Sequence, residues 1–249
     1  MKEINNVKYF DIVDICEIFH NKISEEELRN YFEEEKIKGK KIEENWYTTE
    51  DELKKFVNQI LLKEKAVMVG PHKIDLSNIK LEGRVLDIGG GGEGIIGQVG
   101  GEQVVAIDFN KSELEEAPDS GELKIIMNAK ELKFLDNTFD IATTFFTLMY
   151  IPLNDHKKIF QEIHRVLKPN GVFLLWDLYF PKKINKEKEF YGVTLRIKIN
   201  EITIETGYVV KWVKEQDINY YLDLGKNIGF DTIETKIKED TFYIKFRKD

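Results

Sequence analysis

Residues 85–97 read Val-Leu-Asp-Ile-Gly-Gly-Gly-Gly-Glu-Gly-Ile-Ile-Gly, and this stretch decides the fold. An apolar strand runs into a glycine turn, and an apolar helical pattern follows. Because glycine has no side chain, such a turn lets the backbone lie close to a nucleotide. Gly89, Gly91 and Gly94 fit the spacing G-x-G-x-x-G, and Asp108 follows Gly89 by 19 residues, where an acid would hold ribose hydroxyls. The stretch predicts a cofactor site at the end of a parallel strand.

Short apolar runs alternate with helical patterns on both sides of this turn. The runs cover 84–88, 104–107, 123–127, 139–143 and 171–176. A period-two hairpin follows at about 190–213, and two further strands are expected at 232–237 and 241–246. Strands that alternate with helices indicate a parallel sheet. We therefore expect an α/β, Rossmann-like, doubly wound domain over residues 66–249. It should contain a mostly parallel seven-stranded sheet, an inserted β-hairpin that could cover the site, and a connecting segment at 66–80.

The first 65 residues follow a different pattern and predict a small, mainly helical domain with one wing. The apolar face of the first helix is formed by Ile12, Ile15, Cys16 and Phe19. Ser24 and Glu27 form a capping box, a hairpin is expected over 36–47, and a helix after Thr49 would bury Ile60. This order resembles the excisionase-type winged helix-turn-helix. However, residues 1–65 carry 12 basic and 16 acidic side chains, so the module is expected to dock, dimerise or serve as a lid rather than bind DNA.

Composition excludes several classes of protein. The chain has 249 residues, 42% of them hydrophobic, and a net charge of −8, which suits a folded chain better than a disordered one. Its one cysteine, Cys16, rules out a disulfide framework. No leader-like segment and no apolar run of about 18 residues occurs, so we expect a cytoplasmic protein without a membrane span. Only five of the 37 basic residues are arginine, which makes nucleic acid an unlikely partner.

The charge beside the glycine turn bears on its ligand. Asp87 ends the first strand two residues before Gly89. A pyrophosphate would be repelled there, whereas S-adenosylmethionine carries a sulfonium and an ammonium group and no phosphate. Opposite charges about 4 Å apart at a partly screened site attract by a few kcal/mol before desolvation. The sign of this charge therefore favours the sulfonium cofactor over a nicotinamide dinucleotide, although Asp87 could instead merely cap the following turn.

At this point the chain resembles the class I S-adenosylmethionine-dependent methyltransferases, of the small-molecule, type 11 kind, over about 100 residues from Arg84 to Trp176. The resemblance rests on three motifs: Asp-Ile-Gly-Gly-Gly-Gly at 87–92, Asn-Ala-Lys-Glu-Leu-Lys-Phe at 128–134, and His-Arg-Val-Leu-Lys-Pro-Asn-Gly at 164–171. The chain departs from the family pattern at Glu93, where a third glycine often stands. The resemblance implies a cofactor, S-adenosylmethionine, that becomes S-adenosylhomocysteine. It also implies these cofactor-binding residues: Asp87, Gly89, Gly91, Asp108, Phe109, Asn128, Ala129 and Phe145.

The residue that acts on the methyl acceptor is unknown from sequence. Tyr150 and Asp177 follow the fourth and fifth strands and are candidates for orienting a small-molecule acceptor, although Tyr150 could simply pack and Asp177 could cap a turn. The histidines show no metal-ligand spacing, so no metal site is expected. His20 would end a helix, His72 would lie in the connection and His156 would be exposed in a first helical turn.

Two alternatives to a methyltransferase stay open. An NAD(P)-dependent oxidoreductase would use the same glycine turn and Asp108, but it leaves Asp87 and Asn128 unexplained. A ligand-sensing DNA-binding regulator would explain the amino-terminal module, but the acidic second helix opposes it. A homodimer formed through that module is a further expectation.

Overall fold

The computed structural model describes residues 2–4, 7–19, 23–57, 62–183, 185 and 187–249. His20 and Ile60 lie outside these residues. The chain divides into two compact units. The first contains Met1–Met68 and Asn185–Gly192, and the second contains Val69–Ile184 and Val193–Asp249. Among the described residues, no helix has the length and apolarity needed to cross a bilayer.

The first unit combines short helices with a small antiparallel sheet. Its strands are β1 (Lys2–Ile4), β2 (Val7–Asp11), β3 (Lys40–Ile42) and β4 (Asn45–Thr49), in the order β1-β2-β4-β3. Its helices are α1 (Ile12–Ile18), α2 (Glu25–Glu33), α3 (Glu50–Phe56) and α4 (Leu62–Lys65). The predicted short hairpin is present as β3 and β4. Strands β1 and β2 were not predicted from the sequence. Because β2 pairs with β4, they extend the hairpin into a four-stranded sheet.

The caps of these helices follow from local chemistry. The predicted capping box opens α2: Ser24 Oγ accepts from Glu27 N–H, and the Glu27 carboxylate accepts from Ser24 N–H. Asp11 and Asp14 form a second capping box at α1. Three glutamates in the first turn of α2 suit the positive end of the helix dipole. The acidic composition of this helix thus stabilises the helix itself.

The second unit is built on a seven-stranded sheet. Its strands are β6 (Val85–Ile88), β7 (Val104–Asp108), β8 (Leu123–Ile126), β9 (Phe139–Phe145), β10 (Leu167–Leu178), β13 (Phe230–Lys238) and β14 (Thr241–Lys248), in the order β13-β14-β10-β9-β6-β7-β8. Five neighbouring strands of the sheet run parallel, namely β10, β9, β6, β7 and β8. Strand β14 runs antiparallel to both β10 and β13. The mostly parallel seven-stranded sheet is therefore confirmed.

The helices of the second unit are α5 (Ile95–Gly100), α6 (Lys111–Glu116), α7 (Leu153–Val166) and α8 (Ile218–Ile228). The predicted apolar face of α7 is buried, with Ile159, Phe160 and Ile163 packed in the core against β10 and β14. Parallel strands end at one edge of the sheet, so Ile88, Asp108 and Phe145 lie at the carboxyl ends of neighbouring strands. Ligands in open α/β sheets bind at this edge.

The predicted hairpin is present as β11 (Phe190–Ile199) and β12 (Ile202–Lys211), joined by Asn200 and Glu201. The expectation of a connecting segment at 66–80 is wrong in part, because β5 (Ala66–Asp75) completes a three-stranded sheet in the order β12-β11-β5. Within the second unit, Thr194 Oγ1 donates to the Val69 carbonyl at 3.3 Å and Leu76 N–H donates to the Lys198 carbonyl at 2.8 Å. By pairing with β11, strand β5 covers an edge that would otherwise leave backbone groups of β11 unpaired.

The segment after β8 is held by one arginine. The Arg165 guanidinium donates to the carbonyls of Leu132 and Phe134, each at 2.9 Å, and to the carboxylates of Glu162 and Asp136. Glu162 in turn accepts from Leu132 N–H at 2.8 Å. The planar, five-donor guanidinium suits such a clamp better than a lysine would. This clamp holds residues 132–136, in the connection that leads from β8 into the start of β9.

Candidate functional site

The glycine turn is packed so tightly that side chains are excluded. A Cβ on Gly90 would lie 2.6 Å from Asp87 Oδ2, and one on Gly91 would lie 2.5 Å from Glu113 Cβ. Gly89 has a φ of +75°, and its Cβ would strike Thr147. The N–H groups of Gly89 and Gly90 both donate to the Ile107 carbonyl, at 2.8 and 3.1 Å. The turn is therefore fixed against β7, with the strand-to-helix path that the sequence predicts.

Asp87 is buried directly beneath this turn. Its Oδ1 accepts from Thr143 Oγ1 at 2.6 Å. Burial, with a smaller contribution from the charges of Asp108 and Glu122, raises the pKa of Asp87 to about 7 despite the Thr143 hydrogen bond. A buried carboxyl with this pKa is poised to ionise when a cation binds nearby. The position of Asp87 agrees with the prediction that its carboxylate faces the turn.

Asp108 ends β7 next to the glycine turn. Burial raises its pKa, while hydrogen bonds from the N–H groups of Asn110, Phe109 and Gly91 oppose the rise; the bond from Asn110 measures 2.8 Å. The carboxylate thus lies between the turn and the start of α6. Phe109, the next residue, is 79% exposed. A large apolar ring left this open beside a predicted cofactor site could be covered by a flat aromatic ligand.

The other predicted cofactor residues lie along the same edge. Asn128 follows β8 and is exposed, and its Oδ1 accepts from Lys130 N–H at 2.9 Å. An amide oxygen has two lone pairs, so one remains for a ligand. Ala129 is half-buried against the core, and Phe145 is buried at the end of β9, 5.0 Å from the Phe146 ring. The structure places Asn128 near the outer end of the edge and Phe145 near its centre.

A cavity of about 500 Å³ opens beside the glycine turn. Its lining residues are Gly92, Glu93, Glu113, Glu116, Pro118, Tyr150, Gly207 and Tyr208. Burial and the charges of Glu116, Asp108 and Glu93 raise the pKa of Glu113. Among these lining residues three are acidic and none is basic. Such a lining attracts a cation and repels a phosphate.

Tyr150 reaches this cavity from a short 3-10 turn, Leu148–Tyr150, that follows β9. Although 47% of the residue is exposed, its hydroxyl contacts the backbone of Val209, and burial of that end raises the pKa of Tyr150. Tyr208 of β12 lines the same cavity, and its ring stacks on Phe146 at a centroid distance of 5.6 Å. Tyr150 therefore lies at the rim of this cavity.

Asp177, the second catalytic candidate, is fully buried at the end of β10. It accepts from Met149 N–H at 3.1 Å, from Leu178 N–H at 2.8 Å and from Gln216 Nε2 at 3.0 Å. Burial raises the pKa of Asp177 to about 7, opposed by these hydrogen bonds and by Lys214. The structure does not bring Asp177 to the cavity with Tyr150. Instead, it holds the 3-10 turn that carries Tyr150.

The expectation of an exposed His156 is wrong, because its ring is fully buried. Nε2 lies 3.1 Å from the Leu148 carbonyl and 3.0 Å from that of Ile151, and Lys214 Nζ donates to the same two carbonyls. Burial and the Lys214 charge lower the pKa of His156 to about 4. Apolar neighbours on α8, including Tyr221 stacked at 5.6 Å, explain the burial. The burial of His156 could not be predicted from the local sequence, because the helix that covers it, α8, is distant along the chain.

His72 also differs from its expected place in a connecting segment. It lies on β5, is buried, and contacts the carboxylates of Glu239 and Asp240 at the turn before β14. Across the described residues, no group of three or more His, Cys, Asp or Glu side chains is arranged to hold a metal ion.

Comparison with known proteins agrees with this geometry. Residues 86–175 match the family model described as a methyltransferase domain, Methyltransf_11. The chain is also similar to two solved structures, each with a TM-score of 0.50 and 20% identity. One is a Methanosarcina mazei S-adenosylmethionine-dependent methyltransferase (68% of this chain, 94% of that one), and the other is a Pyrococcus horikoshii protein (70% and 85%). These likenesses show the fold.

Curated relatives match over part of their length. One is the ubiquinone/menaquinone biosynthesis C-methyltransferase UbiE of Haemophilus ducreyi, 30% identical over 159 residues. Another is the phosphoethanolamine N-methyltransferase of Plasmodium falciparum, 32% identical over 140 residues. The matches cover 57% and 52% of this chain but only 60% and 53% of those relatives. The chain thus spans less than two thirds of their length.

The buried role of Asp177 generates a stability prediction. Asp177→Ala leaves the buried Met149 N–H without its acceptor and removes one of the two acceptors of the Gln216 amide, so we expect the free energy of unfolding to fall by about 2–3 kcal/mol. Urea denaturation measures this. Asp223→Ala, at an exposed position on α8, serves as the matched control and should change stability by less than about 0.5 kcal/mol. Equal stability of the two variants would show that the network contributes nothing.

Proposed function

We propose that this protein transfers the methyl group of S-adenosylmethionine to a small-molecule acceptor. The observation that carries the proposal is the set of carboxylates around the glycine turn: Asp87 beneath it, Asp108 beside it, and Glu93 and Glu113 in the adjoining cavity. A sulfonium and an ammonium group would offset this negative charge, and a pyrophosphate would add to it. The methyltransferase domain match over 86–175 supports the same reading.

The residues present fit this cofactor. Asp108 would accept from the ribose hydroxyls, and Phe109 and Ala129 would contact the adenine, with Asn128 at its polar edge. Asp87 and the turn at Gly89 would hold the methionine end, next to Phe145. A ligand that is aromatic at one end and cationic at the other would cover the exposed ring of Phe109 and would stabilise the ionised form of Asp87, whose pKa is raised.

Little acid-base chemistry is asked of the chain. When bound, S-adenosylmethionine supplies an electrophilic methyl group whose leaving group is a neutral thioether. The protein has to align the acceptor and exclude water. Phe145, Phe146 and Tyr208 provide apolar walls, and Tyr150 offers a hydroxyl at the rim. We infer that Tyr150 orients the acceptor and that Asp177 acts only by holding the turn on which Tyr150 lies.

The relatives leave the acceptor atom open. One is named as a C-methyltransferase and the other as an N-methyltransferase. The NAD(P)-dependent alternative is opposed by the acidic cavity beside the glycine turn. We further propose a cytoplasmic location for the protein.

For the first unit we propose a docking or dimerisation role rather than winged-helix DNA recognition. The carboxylates in the first turn of α2 would repel phosphates, and α1 exposes the apolar side chains of Val13 and Ile18. A gel shift in low salt with mixed-sequence DNA tests this, and retarded DNA would contradict it.

Ligand choice is the direct test of the proposed function. Calorimetric titration with S-adenosylmethionine, S-adenosylhomocysteine, NADH and NADPH should show micromolar binding of the first two alone. Asp108→Ala should weaken both by about 1–3 kcal/mol, because a charged hydrogen-bond acceptor is lost. Asp119→Ala, an exposed aspartate of the same unit, should leave both affinities unchanged. Binding of a nicotinamide cofactor alone would contradict the proposal.

The raised pKa of Asp87 predicts a pH dependence of cofactor binding. A cationic ligand prefers the ionised carboxylate, and a group with a pKa of about 7 is mostly protonated at pH 6 and mostly ionised at pH 8. Affinity for S-adenosylmethionine should therefore rise about tenfold between these pH values, whereas adenosine, which lacks the charged end, should show no such rise. Calorimetry at both pH values measures this.

Asp87→Asn is the matched variant for this pH test. It keeps the shape and an acceptor for Thr143 but cannot ionise, so the affinity for S-adenosylmethionine should become low and independent of pH. Because the pKa of Asp87 is raised from 3.8 to about 7 in the folded state, its burial lowers stability as the pH rises through that range, and the loss is complete at pH 8. The variant has no group that ionises there, so its melting temperature at pH 8 should be no lower than that of the unmodified protein. Parallel pH profiles for S-adenosylmethionine and adenosine in the unmodified protein would show that Asp87 does not contact the charged end.

A further inference from the structure

Glu93 stands where the glycine turn leads into α5, and its side chain leaves the turn to meet the hairpin. One carboxylate oxygen accepts from Thr206 Oγ1, and the other accepts from the Tyr208 hydroxyl at 3.0 Å. The two partners lie on alternate positions of β12, so they share one face of the strand. A glycine at position 93 would make neither bond. Glu93 therefore ties two segments that are more than 110 residues apart.

The Tyr208 ring is held at both ends. Its hydroxyl lies on Glu93, and its ring stacks on Phe146 at 5.6 Å with an interplanar angle of 24°. Burial and the charge of Glu93 raise the pKa of Tyr208, so its hydroxyl stays a proton donor at neutral pH. Phe146 follows β9, and Glu93 follows β6. Tyr208 thus bridges the turn assigned to the cofactor and the segment assigned to the acceptor.

The backbone beside Tyr208 completes the same wall. Gly207 and Tyr208 line the cavity together with Glu93 and Tyr150, and the Tyr150 hydroxyl contacts the backbone of Val209. Glu93 also fixes its own end, because its carbonyl accepts from Gln98 Nε2 at 2.6 Å on α5. A movement of β12 away from the turn would break both Glu93 hydrogen bonds and open one side of the cavity.

We propose that Glu93 is a positioning residue that holds the Tyr208 ring as a wall of the acceptor cavity and keeps the hairpin closed beside the bound cofactor, so that the cofactor leaves slowly. This inference rests on the proposed function. It assigns a role to the residue at which the glycine turn departs from the family pattern. The role is to act through Tyr208, without contact with the reacting methyl group.

The test measures the release of S-adenosylhomocysteine from the full chain by stopped-flow displacement. Glu93→Ala should raise the dissociation rate about tenfold or more with little change in the association rate. Glu93→Gln can still hydrogen-bond both hydroxyls without a charge, so its dissociation rate should lie between those of the unmodified protein and Glu93→Ala. Tyr208→Phe should raise the dissociation rate as well. The double variant Glu93→Ala/Tyr208→Phe should release the ligand no faster than Glu93→Ala alone, because both changes remove the same hydrogen bond between Glu93 and Tyr208.

Glu205→Ala is the matched control. Glu205 is a carboxylate on the same strand, and it pairs with Arg196 on β11 at 2.6 Å rather than with the glycine turn. Its removal should leave the dissociation rate within twofold of the unmodified protein. Equal rates for Glu93→Ala and Glu205→Ala would overturn the proposal.

Amide hydrogen exchange of the ligand-free proteins separates this inference from the proposed function. Protection of residues 202–211 should fall at least tenfold in Glu93→Ala, stay near the unmodified level in Glu205→Ala, and recover partly in Glu93→Gln. If the unmodified protein fails to bind S-adenosylhomocysteine, the proposed function is overturned and the role in release with it. The exchange result then still decides whether Glu93 positions the hairpin, and unchanged protection in Glu93→Ala would overturn that role too.

Discussion

The crowding of carboxylates around a turn that has no room for side chains is the constraint on which the site depends. Gly90 and Gly91 lie so close to Asp87 and Glu113 that a Cβ would collide with either. Water is excluded from Asp87, which raises its pKa to about 7. The turn therefore presents negative charge that is only partly stabilised by the protein. A cationic ligand at the turn therefore gains more electrostatic binding free energy than it would on an open surface.

The rest of the second unit positions this turn and its surroundings. The parallel strands bring the ends of β6, β7 and β9 to one edge, and the Arg165 clamp fixes residues 132–136, which follow Asn128 in the connection to β9. A buried network around Asp177 holds the 3-10 turn of Tyr150. Polar groups that look catalytic from sequence thus divide into two kinds. Some lie at the cavity, and others are buried behind it, where they set backbone positions.

Much of the sheet could be predicted because its signals are local. The apolar runs, the glycine turn and the face of α7 follow from period and turn chemistry, and Asp108 follows from its spacing to Gly89. Other features depend on contacts between distant residues. The burial of His156 requires α8, the pairing of β5 requires the hairpin, and the partners of Glu93 lie more than 110 residues away. A sequence pattern reports none of these contacts, although the missing glycine at position 93 marks a departure.

The most direct test of the central claim is a crystal structure of the full chain with S-adenosylhomocysteine. We expect the ribose hydroxyls on Asp108, the adenine against Phe109 near Asn128, and the amino group of the homocysteine end beside Asp87 at the glycine turn. A ligand bound elsewhere, or one whose amino group lies away from Asp87 while a solvent anion occupies the turn, would contradict the account. In that case, the carboxylates around the turn would serve the fold and not the choice of cofactor.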